Sequence, residues 1–268
     1  MRFLPNTPPA EIYNGDPVDI MVEFSNKGTY DITNGQGYFY LTGFDDRYFP
    51  HLSYDNTRTF EAPGISEFNP YGDIYGTVSF REDRVEIPQE VPYFDQTFKV
   101  TACYYYETYA TPKVCIDTDY TNTIQDKVCE VHDLSLAGGQ GAPVAITRIE
   151  ENIIGQRVQF KIFFKNLGGG EVFYKGSGPG GITNCHTDLL RDEYNKLSLE
   201  EARLAENTLT CKPDEIRLDE RGEGYIYCYC ETCLDFGENY ETLLTLRLGY
   251  GYRDSIYTNM RIIRSIFV

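Results

Sequence analysis

One sequence pattern occurs twice in this chain of 268 residues. It places apolar residues at every second position between two glycines and ends in Asn-x-Gly. It runs from Gly15 to Gly28 and again, 140 residues later and without a gap, from Gly155 to Gly168. Such alternation is typical of an antiparallel strand with one buried and one solvated face. A period of 140 residues exceeds the repeats of solenoid proteins, so the pattern predicts two copies of one domain.

Two further pairs of segments match in the same order along the chain. Their offsets, 146 and 148 residues, differ little from the first, as loop insertions in the second copy would cause. The better match aligns Phe94, Phe98, Val100 and Tyr104 with Tyr240, Leu244, Leu246 and Tyr250. The weaker match aligns Gly76, Val78 and Phe80 with Gly224, Ile226 and Cys228.

The residue types favour an all-β fold. Tyr, Phe, Ile, Val and Thr are frequent in the alternating segments, and 24 glycines and 13 prolines interrupt those segments. Several short strands over roughly 110–125 residues per copy are typical of an immunoglobulin-like β-sandwich. We therefore predict two tandem immunoglobulin-like antiparallel β-sandwiches, comprising residues 1–124 and 125–268.

One short helix is predicted inside the second copy. Ser198 and Glu201 have the spacing of a capping box, and the segment from Leu199 to Glu206 contains good helix formers. Since the segment lies between Cys185 and Cys211, we expect a surface helix within a cysteine-flanked insertion.

The early strand and its Asn-x-Gly turn resemble those of CARDB-like domains, the cell-adhesion-related immunoglobulin-like domains of prokaryotic surface proteins. The turn is Asn26-Lys27-Gly28 in one copy and Asn166-Leu167-Gly168 in the other, and the junction from Gly138 to Glu151 looks like that of secreted archaeal proteins of this type. Asparagine can bond the neighbouring backbone there, and glycine tolerates positive φ. The resemblance covers both halves. It implies an extracellular spacer, adhesive module or assembly subunit without catalytic residues.

Eight cysteines in an acidic, strand-rich chain favour disulfides and an oxidising location. Two pairings are predicted: Cys103–Cys115 across a hairpin centred near Tyr109, and Cys185–Cys211 around the insertion. The connectivity of the other four stays open. They are Cys129, Cys228, Cys230 and Cys233.

A structural zinc site is the alternative for the cysteines. Cys230 and Cys233 form a CxxC motif, and Cys185-His186 offers two further ligands. Zinc sites favour paired CxxC motifs, however, and this sequence has one. We therefore expect disulfides, with no metal and no cofactor.

The sequence contains no recognisable catalytic motif. Its three histidines are scattered, and it lacks the GxSxG, HExxH and P-loop patterns. Acidic clusters at Asp45-Asp46, at Asp117 and Asp119, and between Asp214 and Glu223 offer oxygen ligands for calcium, but solvated loop charge is the simpler interpretation. The prediction is a non-enzyme, and a hydrolase with two dispersed carboxylates is the weaker alternative.

Tyrosines form the most prominent predicted surface feature. They occupy consecutive and alternating positions on two predicted strands, so some rings must point outwards. Tyrosine joins a large ring to a hydrogen-bonding tip and is enriched at interfaces. The rings either cover a sandwich edge or form a contact surface for protein or carbohydrate. The candidates are Tyr104, Tyr105, Tyr106, Tyr109, Tyr225, Tyr227 and Tyr229.

The apolar segment from Met260 to Val268 ends the sequence. It is either the last strand of the second sandwich, a strand donated to a neighbouring subunit, or the point where a longer protein was cut. The interface candidates in this segment are Ile262, Ile263, Ile266 and Phe267.

The net charge of −17 argues against nucleic acid or an anionic membrane as a partner. No segment approaches 18 consecutive apolar residues, so no transmembrane segment is predicted. The charge is −11 over residues 1–124 and −6 over residues 125–268, which favours contact between unlike copies. The predicted function is a non-enzymatic extracellular structural or adhesive protein, which associates with itself in a surface filament or with other surface proteins. The alternative is a carbohydrate- or protein-binding module of a larger secreted protein.

Overall fold

A computed structural model describes residues 1–119, 121–174 and 182–264, although not the side chains of residues 73–75. The chain divides into two compact units. Unit 1 comprises Met1–Tyr104, Ser177–Asp188 and Arg253–Val268, and unit 2 comprises Tyr105–Gly176 and Leu189–Tyr252. Almost all regular structure in the described residues is β-strand in largely antiparallel sheets, which confirms the all-β prediction at this level.

Unit 1 contains one three-stranded sheet, of order β1-β3-β6, and strands of a second sheet. Two long strands, β7 (Tyr93–Ala110) and β18 (Asn239–Ile263), supply residues to both units. The other elements of unit 1 are β1 (Arg2–Phe3), β2 (Glu11–Tyr13), β3 (Val18–Asn26), β4 (Gly37–Thr42), α1 (Pro50–Tyr54), β5 (Thr57–Thr59), β6 (Asp73–Glu82) and the 3₁₀ turn η1 (Ile182–Asn184).

The second sheet of unit 1 has β4 between β5 and β7, and the last part of β18 lies between β7 and β2. Alternating residues of both sheets point inwards and form the core. The buried side chains include Val18, Ile20, Val22, Phe39, Leu41, Phe80, Phe98 and Val100. The short helix α1 begins at a proline, and the buried carboxylate of Glu82 accepts hydrogen bonds from the backbone N–H groups of His51 and Leu52. These N–H groups have no acceptor within the helix, so Glu82 provides the hydrogen-bond acceptor for the first turn of α1.

Unit 2 contains a five-stranded sheet of order β15-β17-β11-β10-β9, and β18 pairs with β8, β12 and β13 in its other sheet. Its strands are β8 (Lys113–Asp117), β9 (Leu134–Ser135), β10 (Val144–Ile154), β11 (Arg157–Asn166), β12 (Glu171–Phe173), β13 (Lys196–Leu204), β14 (Asn207–Thr208), β15 (Thr210–Lys212), β16 (Ile216–Arg217) and β17 (Glu223–Cys230). The core includes Val144, Ile149, Phe160, Ile162, Phe164, Ile226, Leu244, Leu246 and Tyr250.

The internal repeat of the sequence takes the same register in both units. Phe24 of β3 faces Gly76 of β6, and Phe164 of β11 faces Gly224 of β17. A Cβ atom at Gly76 would overlap the ring of Phe24, so glycine is required opposite this phenylalanine. The weakest of the three sequence matches therefore aligns residues that occupy equivalent positions in the two units.

The Asn-x-Gly turn also has one geometry in both units. The side-chain amide of Asn26 donates to the carbonyl of Tyr30 at 2.8 Å, and that of Asn166 donates to the carbonyl of Gly170 at 2.9 Å. Each asparagine Oδ1 accepts the backbone N–H two residues later, at 3.0 and 3.1 Å. The asparagine thus closes the turn by bonding backbone groups, as its position at the end of the strand suggested.

The predicted helix at Leu199 to Glu206 is wrong, because residues 199–204 belong to strand β13 and residues 205–206 form the turn that follows it. The strand pairs with β18, and it buries Leu197, Ala202 and Leu204. The capping-box spacing indicated a helix, but pairing with a neighbouring strand overrides such a weak local preference.

The two predicted disulfide pairings are also wrong, although all eight cysteines form disulfides. The structure contains Cys103–Cys185, Cys115–Cys129, Cys211–Cys228 and Cys230–Cys233. The first pairing assumed a hairpin in which β8 folds back on β7, whereas β8 pairs with β18 and Cys115 faces Glu241. The second assumed a helical insertion, whereas Cys211 faces Cys228 across β15 and β17.

Each unit takes a segment from the other half of the sequence. Residues 105–117 belong to the first sequence copy but lie in unit 2. Residues 253–264 belong to the second sequence copy but lie in unit 1. The predicted boundary at residues 124 and 125 falls within unit 2. Counted by unit, unit 1 has 18 acidic and 10 basic residues, and unit 2 has 23 and 14. The net charges of the units are therefore −8 and −9, so the two units lack the charge difference that the two sequence halves show.

Candidate functional site

The outward face of the five-stranded sheet in unit 2 carries a group of aromatic and basic side chains. Strand β17 buries Ile226 and Cys228, so its alternate residues Tyr225, Tyr227 and Tyr229 lie on the opposite face. We call this group the aromatic face. It consists of Tyr225, Tyr227 and Tyr229 of β17, Lys161 and Phe163 of β11, and the flanking Arg148 and Arg157.

Lys161 lies at the centre of the aromatic face. Its Nζ is 4.5 Å from the ring centroid of Tyr225, 4.9 Å from that of Phe163 and 5.4 Å from that of Tyr227. The strand register produces this arrangement, because Lys161 faces Tyr227 and Phe163 faces Tyr225. An ammonium group over ring faces is attracted by their negative electrostatic potential.

The flanking arginines contact the outer rings of the same face. The guanidinium carbon of Arg148 is 4.3 Å from the Phe163 ring centroid, and that of Arg157 is 5.0 Å from the Tyr229 ring centroid. Arg148 forms an ion pair with Glu150, and Arg157 lies 3.6 Å from a carboxylate oxygen of Glu231. Each arginine charge is thus offset by a nearby carboxylate, so the aromatic face is not a simple cationic patch.

An open groove of about 840 Å³ runs beside the aromatic face. Phe163 and Tyr225 line it, with their ring centroids 6.1 Å apart. Tyr225 is 50% exposed. Charged side chains of both signs surround the two rings. They are Arg148, Lys165, Glu215, Arg217, Asp219 and Glu223.

The tyrosines of β7 are not part of this surface, because β7 and β17 belong to different sheets. Tyr106 is buried, and its hydroxyl donates to the carbonyl of Gly141, so Tyr106 is wrong as an interface candidate. The hydroxyls of Tyr105 and Tyr109 donate to the buried carboxylate of Glu107, which also lies 3.5 Å from Arg247. In unit 1, half-buried Tyr104 packs edge-on against Phe60. This network occupies the hydroxyls of Tyr105 and Tyr109 within unit 2.

The last described residues of β18 lie in unit 1 and not in unit 2, where the last strand of the second sequence copy was expected. Residues 261–263 of β18 pair in parallel with residues 11–13 of β2. Ile262 is fully buried in the core of unit 1, and Ile263 is half-buried opposite Tyr13. The candidates Ile266 and Phe267 lie outside the described residues.

Two of the acidic clusters close loops. The Asp119 carboxylate accepts backbone N–H groups of Thr123 and Ile124, and these bonds lower the pKa of Asp119 to about 2. Asp219 likewise accepts the N–H groups of Arg221 and Glu223, which lowers its pKa. Over the described part of the chain, no group of three or more His, Cys, Asp or Glu side chains is arranged to hold a metal ion.

Sequence reasoning missed Glu151 of β10. Its side chain is largely buried, its Oε1 has no hydrogen-bond partner, and burial raises its pKa to about 8. A backbone hydrogen bond from Cys115 opposes this shift without cancelling it. The signal that could have found it is the alternation of β10, because Glu151 lies between Ile149 and Ile153 on the inward face and is opposite buried Phe160.

Replacing Glu151 with Gln will flatten the dependence of stability on pH. Between about pH 4.5 and 8 the folded state keeps a proton that the unfolded state releases, so the free energy of unfolding falls as pH rises through this range. Because Glu151→Gln removes this loss, we expect the variant to be more stable than the wild type at pH 8, by on the order of 2 kcal/mol. Denaturant unfolding at several pH values measures the effect. Glu150→Gln, which changes the adjacent residue on the opposite face of β10, is the control and should follow the wild-type profile.

Within residues 1–119, 121–174 and 182–264, the structure contains no helix with the length and apolarity needed to cross a bilayer. Comparison of the chain with protein-family models, curated proteins and solved structures finds no match. Its function must therefore be inferred from its own residues.

Proposed function

We propose that this chain is a non-enzymatic extracellular structural or adhesive protein, built from two immunoglobulin-like units, that assembles with copies of itself. Four disulfides support an oxidising and hence extracellular location. The shared register of β3 with β6 and of β11 with β17 supports a duplicated immunoglobulin-like unit.

The observation that carries the assembly proposal is the position of the last described strand. Residues 253–263 of β18 fill a slot in unit 1 between β7 and β2. Met260 and Ile262 point into the core from this strand and are buried. Without the strand, the backbone groups of two neighbouring strands would lose their partners, and apolar core residues would meet water. The slot must therefore always be filled.

A strand from another copy of the chain fits this slot equally well, because it presents the same residues. Which strand occupies the slot depends on the local concentration of the chain's own strand relative to that of its neighbours. A copy that accepts one strand and donates its own can continue a head-to-tail series, which leads to a filament when the contacts do not close into a ring.

Strand donation can be trapped by a disulfide between β7 and β18. The hydroxyls of Thr101 and Ser255 are 2.9 Å apart within unit 1, so cysteines at these two positions will form a bond. For the double variant Thr101→Cys/Ser255→Cys, we expect a ladder of covalent dimers and larger species on a denaturing, non-reducing gel. Thr101→Cys alone is the control and should give no ladder of this kind.

The same gel contains the result that would refute strand donation. If alkylation and mass measurement show that the new disulfide has formed, but every molecule runs as a monomer, then the slot is filled only within one chain. The denaturant dissociates non-covalent aggregates, so bands above the monomer must be covalently linked. Reduction must convert them to the monomer band, because the link is a disulfide.

A further inference from the structure

The groove beside the aromatic face combines the exposed ring of Tyr225 and the half-buried ring of Phe163 with equal numbers of positively and negatively charged side chains. Of the six charged residues that line it, three are basic and three are acidic, although the whole chain carries −17. Lys165 pairs with Glu223 at 2.8 Å, and Arg217 pairs with Asp192 at 3.1 Å. A groove without excess charge has no electrostatic preference for an ionic ligand. It does offer hydrogen-bond donors and acceptors at short intervals.

The two rings provide an apolar surface between these polar groups. Tyr225 is half exposed, whereas its strand neighbour Ile226 is buried, so the Tyr225 ring is held on a rigid sheet with much of its surface open to solvent. Lys161 covers part of the rings of Tyr225 and Phe163, and its position restrains them. A ligand that suits this site has an apolar face for the rings and many hydroxyls for the rim.

The position of the groove argues against a peptide that adds as a strand. The groove lies on the face of the sheet, where β11 is already paired with β10 on one side and β17 on the other. The backbone groups of β11 are thus engaged, and strand addition requires a free edge. The acidic charge of the chain argues against nucleic acid.

We propose that this groove binds an uncharged polysaccharide. A sugar ring stacks its C–H face on Tyr225 beside Phe163, and its hydroxyls exchange hydrogen bonds with Lys165, Glu223 and Arg217. This site does not depend on self-assembly, because all of its residues lie within unit 2.

Affinity electrophoresis tests the proposal with named probes. The purified full chain is run in native gels that contain hydroxyethyl cellulose, glucomannan, amylopectin or dextran, and in one gel that contains the acidic polymer polygalacturonate. We expect retardation in at least one of the four neutral gels. In that gel Tyr225→Ala should weaken binding about tenfold or more, as the loss of a central aromatic contact commonly does, and Tyr225→Phe should retain most of the affinity.

Tyr257→Ala is the matched control, because Tyr257 is also exposed and also lies near a lysine, with its ring centroid 5.7 Å from the Nζ of Lys99. This variant should bind like the wild type. The proposal is overturned if no neutral gel retards the protein, if only polygalacturonate does so, or if Tyr225→Ala and Tyr257→Ala bind alike. If Tyr225→Ala fails to fold by circular dichroism, the comparison is made with Phe163→Ala, which removes the other ring of the groove, against Tyr257→Ala.

Discussion

Residues 1–124 and 125–268, produced as separate polypeptides, will each fail to fold. The first fragment lacks residues 253–264, which fill the slot between β7 and β2 in unit 1. The second lacks residues 105–117, which include β8, the partner of residues 239–243 of β18. A sheet that loses an internal or a paired strand exposes backbone groups and core residues together, so we expect disordered or aggregated fragments by circular dichroism and size-exclusion chromatography.

Refolded together under oxidising conditions, the two fragments should form one native complex. Cys103 and Cys115 lie in the first fragment, and their partners Cys185 and Cys129 lie in the second. The complex should therefore run as one covalent species on a non-reducing denaturing gel and as two fragments after reduction. A folded, monomeric fragment of either kind would contradict the exchange of segments and would favour two independent domains at the boundary predicted from the sequence.

Removing the disulfide Cys103–Cys185 will destabilise the protein more than removing Cys230–Cys233. The first bond joins residues 82 apart in sequence, and the second joins residues 3 apart. In the chain-entropy view the longer loop restricts the unfolded state much more, with about 4 to 5 kcal/mol for the first bond and about 2 kcal/mol for the second. For Cys103→Ala/Cys185→Ala we expect the unfolding temperature to fall by about 10 °C or more.

Cys230→Ala/Cys233→Ala is the matched control for this measurement, because it also removes one disulfide and two sulfur atoms. Calorimetry of both variants and of the wild type, under identical oxidising conditions, gives the comparison. Equal shifts for the two variants would show that loop length does not govern the contribution of these bonds, and a larger shift for the control would contradict the prediction outright.

The sequence predicted the fold class well because the signal was local. Alternating apolar residues place strands correctly wherever one face is buried, as in β3 and β11, and Asn26 and Asn166 marked the ends of equivalent strands. The weak match between Gly76 and Gly224 was also meaningful, because both glycines face a large phenylalanine.

The errors share one physical cause, which is pairing between residues that are distant in sequence. Nothing near Leu199 indicates that it will pair with Leu248, so its helical propensity was misleading. Cys103 and Cys115 were placed in one hairpin by their spacing, but β8 pairs with β18. Connectivity of disulfides depends on such long-range pairing and cannot be read from spacing alone.

Only part of the candidate site could be predicted from the sequence, because the rest of it depends on pairing between distant strands. Tyr225, Tyr227 and Tyr229 were recognisable as outward rings because they alternate with buried residues on one strand. Lys161 and Phe163 belong to the neighbouring strand, and their place beside these rings follows from the register between β11 and β17. Tyr106 looked equivalent in the sequence, yet the structure buries it.

The parallel pairing of Arg261–Ile263 with Glu11–Tyr13 bears on how unit 1 responds to mechanical force. Both strands run in the same direction, so tension between the N-terminal side of β2 and the C-terminal side of β18 pulls them lengthwise past each other. In this shearing geometry the hydrogen bonds between the strands are loaded together and must break together. Tension applied directly to Glu11 and Ile263 would therefore load this short pairing in shear.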